Sequence, residues 1–425
     1  MILLRPALGT AATSGRQRLL LLIGYAVLVA VRIPSVWPHG RLWAEEGWTY
    51  LSSAWSAPWY VGLTTIHTGY MNLPASGATT LAVHLVPLEY APLVTMAVAL
   101  LIQVTPAILL AVSGIEWLRD WRSLALALLI VAVPPFAEEV WLNTITSQFH
   151  IQLAVAIILA APPGRGAARW FQAAVLLLAP LSGPGGAMLL PLFMLRAWLD
   201  RSPPRLVQAL LLLPGALVQL ALVVTHPEPA RGIGLNLPVV LAAIAGKHLL
   251  LPLLGPRTAM WLTRDLPAAF AAGHGAVLLE IAPVAAFGAL GAVVWQRGNN
   301  AETRWLFGAA MVIMTVSYLA ALTPRGPFEL LIVGFGARYY VAPTVLIGLS
   351  VLGVALTGPG TARICAGAVV AWLLVVGLAN YPHVDRAMAR GPQWRDEVAA
   401  WRADPAHPIA LWPTGWTMQL TPQPP

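Results

Sequence analysis

At 425 residues, 58% of them hydrophobic and only 10% charged, the chain carries far less charge than the roughly one quarter usual in soluble domains, which excludes a soluble fold. Unbroken apolar runs at 91–114, 206–225 and 364–378 exclude a β-barrel, whose strands alternate over short stretches. The net charge of +8 is almost wholly arginine, with Lys247 the only lysine; in such a chain it marks cytoplasmic loops and gives no reason to expect nucleic acid.

The fold expected is an all-α polytopic membrane protein with about eleven transmembrane helices, ten to thirteen at roughly 20 residues each. In chain order the spans fall near 19–36, 91–113, 123–135, 149–161, 170–182, 184–197, 206–225, 275–295, 305–322, 341–357 and 364–380. The first run follows Arg5, Arg16 and Arg18 in the manner of a signal peptide, but no A-x-A site follows it, so it is read as a retained span. Residues 73–87 are too few to cross upright and read as re-entrant or interfacial. Residues 235–254 are broken by Pro238, Gly246, Lys247, His248 and Pro252 and read as re-entrant, because irregular backbone at membrane depth must line protein or a cavity. Short basic loops at 116–122, 164–169, 196–205, 296–304 and 358–363, with the N-terminus, hold about half of the 25 lysines and arginines. Those loops are assigned to the cytoplasm by the positive-inside rule. The N-terminus is then cytoplasmic and the C-terminus extracytoplasmic, in a plasma or inner membrane. A transmembrane domain, 1–380, carries a long first extracytoplasmic loop at about 34–90, and 381–425 forms a small extracytoplasmic C-terminal segment. That segment is too small for its own core and should dock on the rest, with a short strand at 409–413.

Chemistry concentrates in the extracytoplasmic pieces. Glu45 and Glu46 form an acidic pair in an aromatic-rich loop; such a pair is either a solvated pair at a helix start or a base or metal ligand with a raised pKa. His67 and Tyr70 follow as substrate-contact candidates. The junction 138–150 carries Glu138, Glu139, Asn143, Gln148 and His150 between two apolar runs, so it either lines an aqueous pocket or fixes helix packing. Cations come later: Arg231, Lys247 beside His248, Arg257, Arg264, Arg325, and Arg338 ahead of Tyr339 and Tyr340. Each is either a phosphate contact or a snorkelling anchor. Lys247 and Arg338, with His248 and Arg325, are the expected anion-binding set. Residues 182–186, Ser-Gly-Pro-Gly-Gly, lack the trailing Lys-Ser/Thr of a phosphate loop and read as a tight turn.

An acidic pair soon after the first span (Glu45, Glu46), a second acidic junction (Glu138 to His150), a Ser-Gly-Pro turn (Ser182 to Pro184) and Arg-Tyr-Tyr before a late span (Arg338 to Tyr340) together resemble the GT-C superfamily of membrane glycosyltransferases. Many members carry an aspartate in the first-loop pair, where this chain has two glutamates. The resemblance implies inverting transfer of a hexose or pentose from a polyprenyl-phosphate donor to an extracytoplasmic glycan, lipid or protein. A first-loop carboxylate would take the acceptor hydroxyl's proton directly or hold a divalent cation that does, with Glu46 slightly favoured as the base. The competing class is a transporter or flippase of a lipid-linked or polar substrate, which needs access from both faces.

Overall fold

The computed structural model describes residues 13–227, 235–296, 300–322 and 328–422. Helices dominate. The strands among the described residues form two small antiparallel hairpins, Ile66–His67 with Tyr70–Met71 and Ile409–Leu411 with Trp416–Met418. Among the described residues, seven helical stretches are long and apolar enough to cross a bilayer, including Leu88–Val112, Pro203–Thr225, Ala301–Ala321, Arg338–Thr357 and Gly360–Asn380. The chain is an integral membrane protein.

Local sequence starts several helices. Ser14 and Gln17 exchange side-chain and backbone bonds in a capping box ahead of Gly15–Ala30. Asp120 accepts from the N–H groups of Arg122 and Ser123 at the head of Trp121–Ala132, and Asn72 accepts from Ala75 N–H ahead of Leu73–Leu85; each satisfies an otherwise orphaned donor.

Another of the seven stretches, Leu237–Thr263, is not a straight crossing. Seventeen residues of straight helix would separate Gly246 from Thr263 by about 25 Å, yet a Cβ built on Gly246 would lie 3.5 Å from Thr263 Cγ2. The chain turns back at Gly255, whose φ of +78° suits glycine, and Pro256 starts the return limb. Both ends of this pair therefore open on one face. The return limb carries the segment expected at 235–254 nine residues further.

The helices Trp121–Ala132, Ser147–Ala160, Ala167–Leu178 and Leu190–Asp200 have 12, 14, 12 and 11 residues. At about 1.5 Å per residue they are shorter than the ~30 Å hydrocarbon core. Irregular backbone extends one of them: 133–146, between Trp121–Ala132 and Ser147–Ala160, is buried almost throughout, as backbone at membrane depth must be.

Two faces follow from the contacts. Thr13 N–H donates to the Arg119 carbonyl at 2.9 Å, so the start of the first helix lies beside the loop after Ala91–Val112. Arg196 and Arg205 both donate to the Leu159 carbonyl, and Arg205 also reaches Ala161 O at 2.7 Å. Asp200 pairs with both arginines. They satisfy the open carbonyls at the C-terminal end of Ser147–Ala160. At the other end of that helix lie the buried junction and the first loop. The C-terminal segment packs there: Trp394, Val398, Trp401, Ile409 and Leu411 share a core with Leu42, Leu51 and Leu88, and Trp43 forms a parallel bridge with Trp412.

Candidate functional site

A cavity of about 280 Å3 opens where the first loop, the junction and the Arg338 helix meet. Its walls include Glu45, His67, Tyr70, Gln148, Arg338 and Tyr339. These come from segments far apart in sequence.

The first loop is held from both sides. Ala44 N–H donates to the Trp412 carbonyl at 2.5 Å and Trp412 N–H to Leu42 O at 3.1 Å. The guanidinium of Arg41 lies 5.3 Å from the Trp43 ring and 5.9 Å from the Trp412 ring, and donates to the Trp141 carbonyl. Burial lowers the Arg41 pKa to about 10 in spite of Glu46 nearby. Ala44, at φ +35°, turns the chain so that the two glutamates part.

Glu46 opens a π-helical turn, Glu46–Leu51, and is fully buried. It accepts from Trp43 N–H at 3.1 Å, from Thr144 N–H at 2.8 Å and from the Thr144 hydroxyl. Burial pushes its carboxyl above the ordinary range against the pull of those donors and of Arg41. Glu46 thus bolts the first loop to the junction. Glu45 instead lines the cavity, and its side chain has no hydrogen bond or ion pair among the described residues.

The two glutamates of the junction have different partners. Glu138 pairs with Arg32 at 3.4 Å in a buried site, where Arg32 also donates to Pro134 O and lies 4.4 Å over the Tyr381 ring. Burial raises the Glu138 pKa against the pull of Arg32. Glu139 accepts from Arg338 Nη1 at 2.8 Å and from the Arg338 N–H at 3.2 Å, a carboxylate at a helix N-terminus. The Arg338 side chain remains 34% exposed, which leaves donors of its guanidinium facing the cavity, and it lies 5.3 Å over the Tyr339 ring.

His67 sits on the first hairpin, where Thr68 at φ +51° and Gly69 at φ +79° make a turn of the left-handed kind that two-residue hairpins favour. Its ring meets Trp48 and Tyr50 edge-on at 5.9 and 6.3 Å.

Other expected residues stand away from the cavity. Lys247 is 1% exposed, and its Nζ donates to Ile332 O at 3.0 Å and to Phe335 O; it supports the wall from behind through Phe335, which lines the cavity. His248 bonds Thr344 through Nδ1 at 2.9 Å. Asn143 donates to Glu139 O and accepts from Thr146, fixing the junction, while the His150 ring lies 4.6 Å from that of Trp141, tilted against it by 53°. Arg231 and Arg325 lie outside the described residues. Gln148, Gln152, Thr68 and Ser317 also line the cavity. Gln148 belongs to the junction already singled out in the sequence, and Gln152, four residues on, shares its helix face.

No group of three or more His, Cys, Asp or Glu side chains is placed to hold a metal among the described residues. Comparison of the chain with protein-family models, curated proteins and solved structures returns no match, so the GT-C resemblance rests on the residues quoted for it.

Proposed function

We propose that this protein is a membrane glycosyltransferase that moves a sugar from a polyprenyl-phosphate donor to an extracytoplasmic acceptor with inversion. One observation carries the reading: Glu45, a carboxylate without a salt-bridge partner among the described residues, and a partly exposed arginine, Arg338, line the same cavity. Glu45 takes the proton of the acceptor hydroxyl as that oxygen attacks the anomeric carbon, and the bond from that carbon to the phosphate oxygen breaks. Arg338, oriented by Glu139, pairs with the donor's phosphate through charge-assisted bonds that form when the donor binds and persist as the lipid phosphate leaves. Lys247 holds the carbonyls of the segment that leads into Arg338, a positioning role.

The test uses purified protein in proteoliposomes, a panel of polyprenyl-phosphate hexoses and pentoses labelled in the sugar, and a cell-envelope fraction as acceptor. Glu45→Gln keeps shape and removes basicity, so transfer should fall by about 10²- to 10⁴-fold. Arg338→Lys should mainly raise the KM for donor, since a point charge replaces a planar fork. Undiminished transfer by Glu45→Gln would end this mechanism, and absence of transfer by the wild-type protein would favour transport of the same substrate.

A further inference from the structure

Beside its charged residues the cavity has a neutral wall. Gln152 lines it while being only 2% exposed. Its Nε2 makes a long contact, 3.5 Å, to Met188 Sδ, and its Oε1 has no partner among the described residues. Gln148, one helical turn earlier, is held by a 3.5 Å bond to the Ile145 carbonyl. The hydroxyl of Thr68, on the same cavity, is also unpartnered among the described residues.

The glutamines owe their seats to glycines. A Cβ on Gly183 would collide with Gln148 Oε1, and a Cβ on Gly185 with Gln152 Nε2. The Ser-Gly-Pro-Gly-Gly turn thus brings bare backbone against the two amides. Gly183 also needs its residue type for its φ of +129°, whereas Gly185 lies in the short helix Pro184–Ala187 and has no such need.

A buried amide edge without a partner costs free energy until something pairs with it. A neutral partner suits it best, because an amide offers one acceptor and two donors but no charge to offset that of a buried ion. A hydroxyl serves whichever way round the amide sits, since it both donates and accepts. A ligand matching several such groups at once carries several hydroxyls. Phe149, 5.7 Å from Tyr339 and edge-on to it, and Met188 give the same wall apolar surface for a ring face. The volume lies at the lower end for small-molecule sites, room for one ring rather than an oligosaccharide.

We propose that Gln148, Gln152 and Thr68 form a binding site for a single neutral monosaccharide unit, held in place by Gly183 and Gly185. This deepens the transferase reading and rests on it for identifying that sugar with the one transferred.

The site is testable without turnover. In saturation-transfer NMR, the purified protein in nanodiscs meets a panel of methyl pyranosides and furanosides. At least one should bind, and Gln152→Leu should weaken it by about tenfold, the scale of one lost hydrogen bond in a buried site. Gly185→Ala, which displaces the same amide without removing it, should weaken it too. Absence of any sugar binding by the wild-type protein overturns the proposal, as does equal affinity in Gln152→Leu and Gly185→Ala. Sugar binding that depends on Gln152, combined with normal transfer in Glu45→Gln, would sink the catalytic reading and leave this site standing.

Discussion

Two adjacent glutamates are indistinguishable in a sequence, and here their surroundings differ completely. Glu46 is enclosed by three donors, while Glu45 lines a cavity. What separates them is a positive φ at Ala44 and a π-helical turn from Glu46, features set by tertiary packing, which local pattern does not encode. The slight preference for Glu46 as base, drawn from its nearness to the following helix, has no support in its placement. Gln152 was hidden for another reason: one amide in an apolar helix reads as a packing residue. Glu46 gives a prediction separable from catalysis. In Glu46→Gln an amide N–H2 replaces one acceptor oxygen, so a donor faces Trp43 N–H or Thr144, at a cost of about 1–3 kcal/mol. The thermal midpoint should drop, whereas in Glu45→Gln it should hold. The pH dependence has a definite sign. Because the folded pKa of Glu46 is raised, the folded state binds its proton more readily than the unfolded chain does. Its contribution to stability therefore falls as pH rises from the ordinary carboxylate range to the raised folded value. Glu46→Gln should remove that share of the slope, so its deficit is largest at the acid end of the window. Glu138, raised for the same reason, keeps its own share in both proteins. A midpoint unchanged by Glu46→Gln at every pH would refute the bolt between loop and junction.

At the scale of elements, most apolar runs were legible because composition alone makes them, but their geometry was not. The folded-back pair Leu237–Thr263 shows where sequence reading stopped. Its breakers were visible, yet the return limb from Pro256 carries Arg257 and ends at Arg264, which made it look like a loop. Gly255 is the hinge of this pair. A Cβ there would meet Asn380 Nδ2 at 3.1 Å, and its φ of +78° is costly for any other residue. Gly255→Ala should cost about 1–2 kcal/mol and lower the thermal midpoint in nanodiscs. The same substitution should disturb Lys247, which lies on the entering limb and holds the carbonyls of Ile332 and Phe335. An increased KM for donor with a nearly unchanged kcat would mark that route, because Lys247 acts through the wall that leads to Arg338. A wild-type midpoint in Gly255→Ala would show that the pair does not turn there.

For the whole molecule, the strongest regularity is which segments share a face. The C-terminal segment packs on the first loop through Trp412 and the core around Trp394 and Leu411, so the two lie on one side of any membrane. The start of the first helix, bonded through Thr13 to Arg119, lies with the loop 113–120. Between that helix start and the first loop runs Gly15–Ala30, 16 residues or about 24 Å of helix, so the two faces are distinct without reference to charge. The arginines are the basis for predicting the orientation. The loop 113–120 with the helix start after it carries Arg119 and Arg122, and the turn before Ala167–Leu178 with that helix's first residues carries Arg165 and Arg169; both are short and basic, as cytoplasmic loops are. Arg196 and Arg205 count for less, since both turn inward to cap Ser147–Ala160. The prediction is that the N-terminus is cytoplasmic and the C-terminus extracytoplasmic, with the cavity on the extracytoplasmic face. Alkaline phosphatase, active only outside the cytoplasm, should be active when fused after residue 425 and inactive when fused within the loop 113–120. A fluorescent protein that folds only in the cytoplasm should give the reverse pattern. Were the C-terminal fusion cytoplasmic, the first loop and Glu45 would be cytoplasmic with it, because the Trp43–Trp412 bridge ties them together. Transfer to an extracytoplasmic acceptor at this cavity would then be impossible.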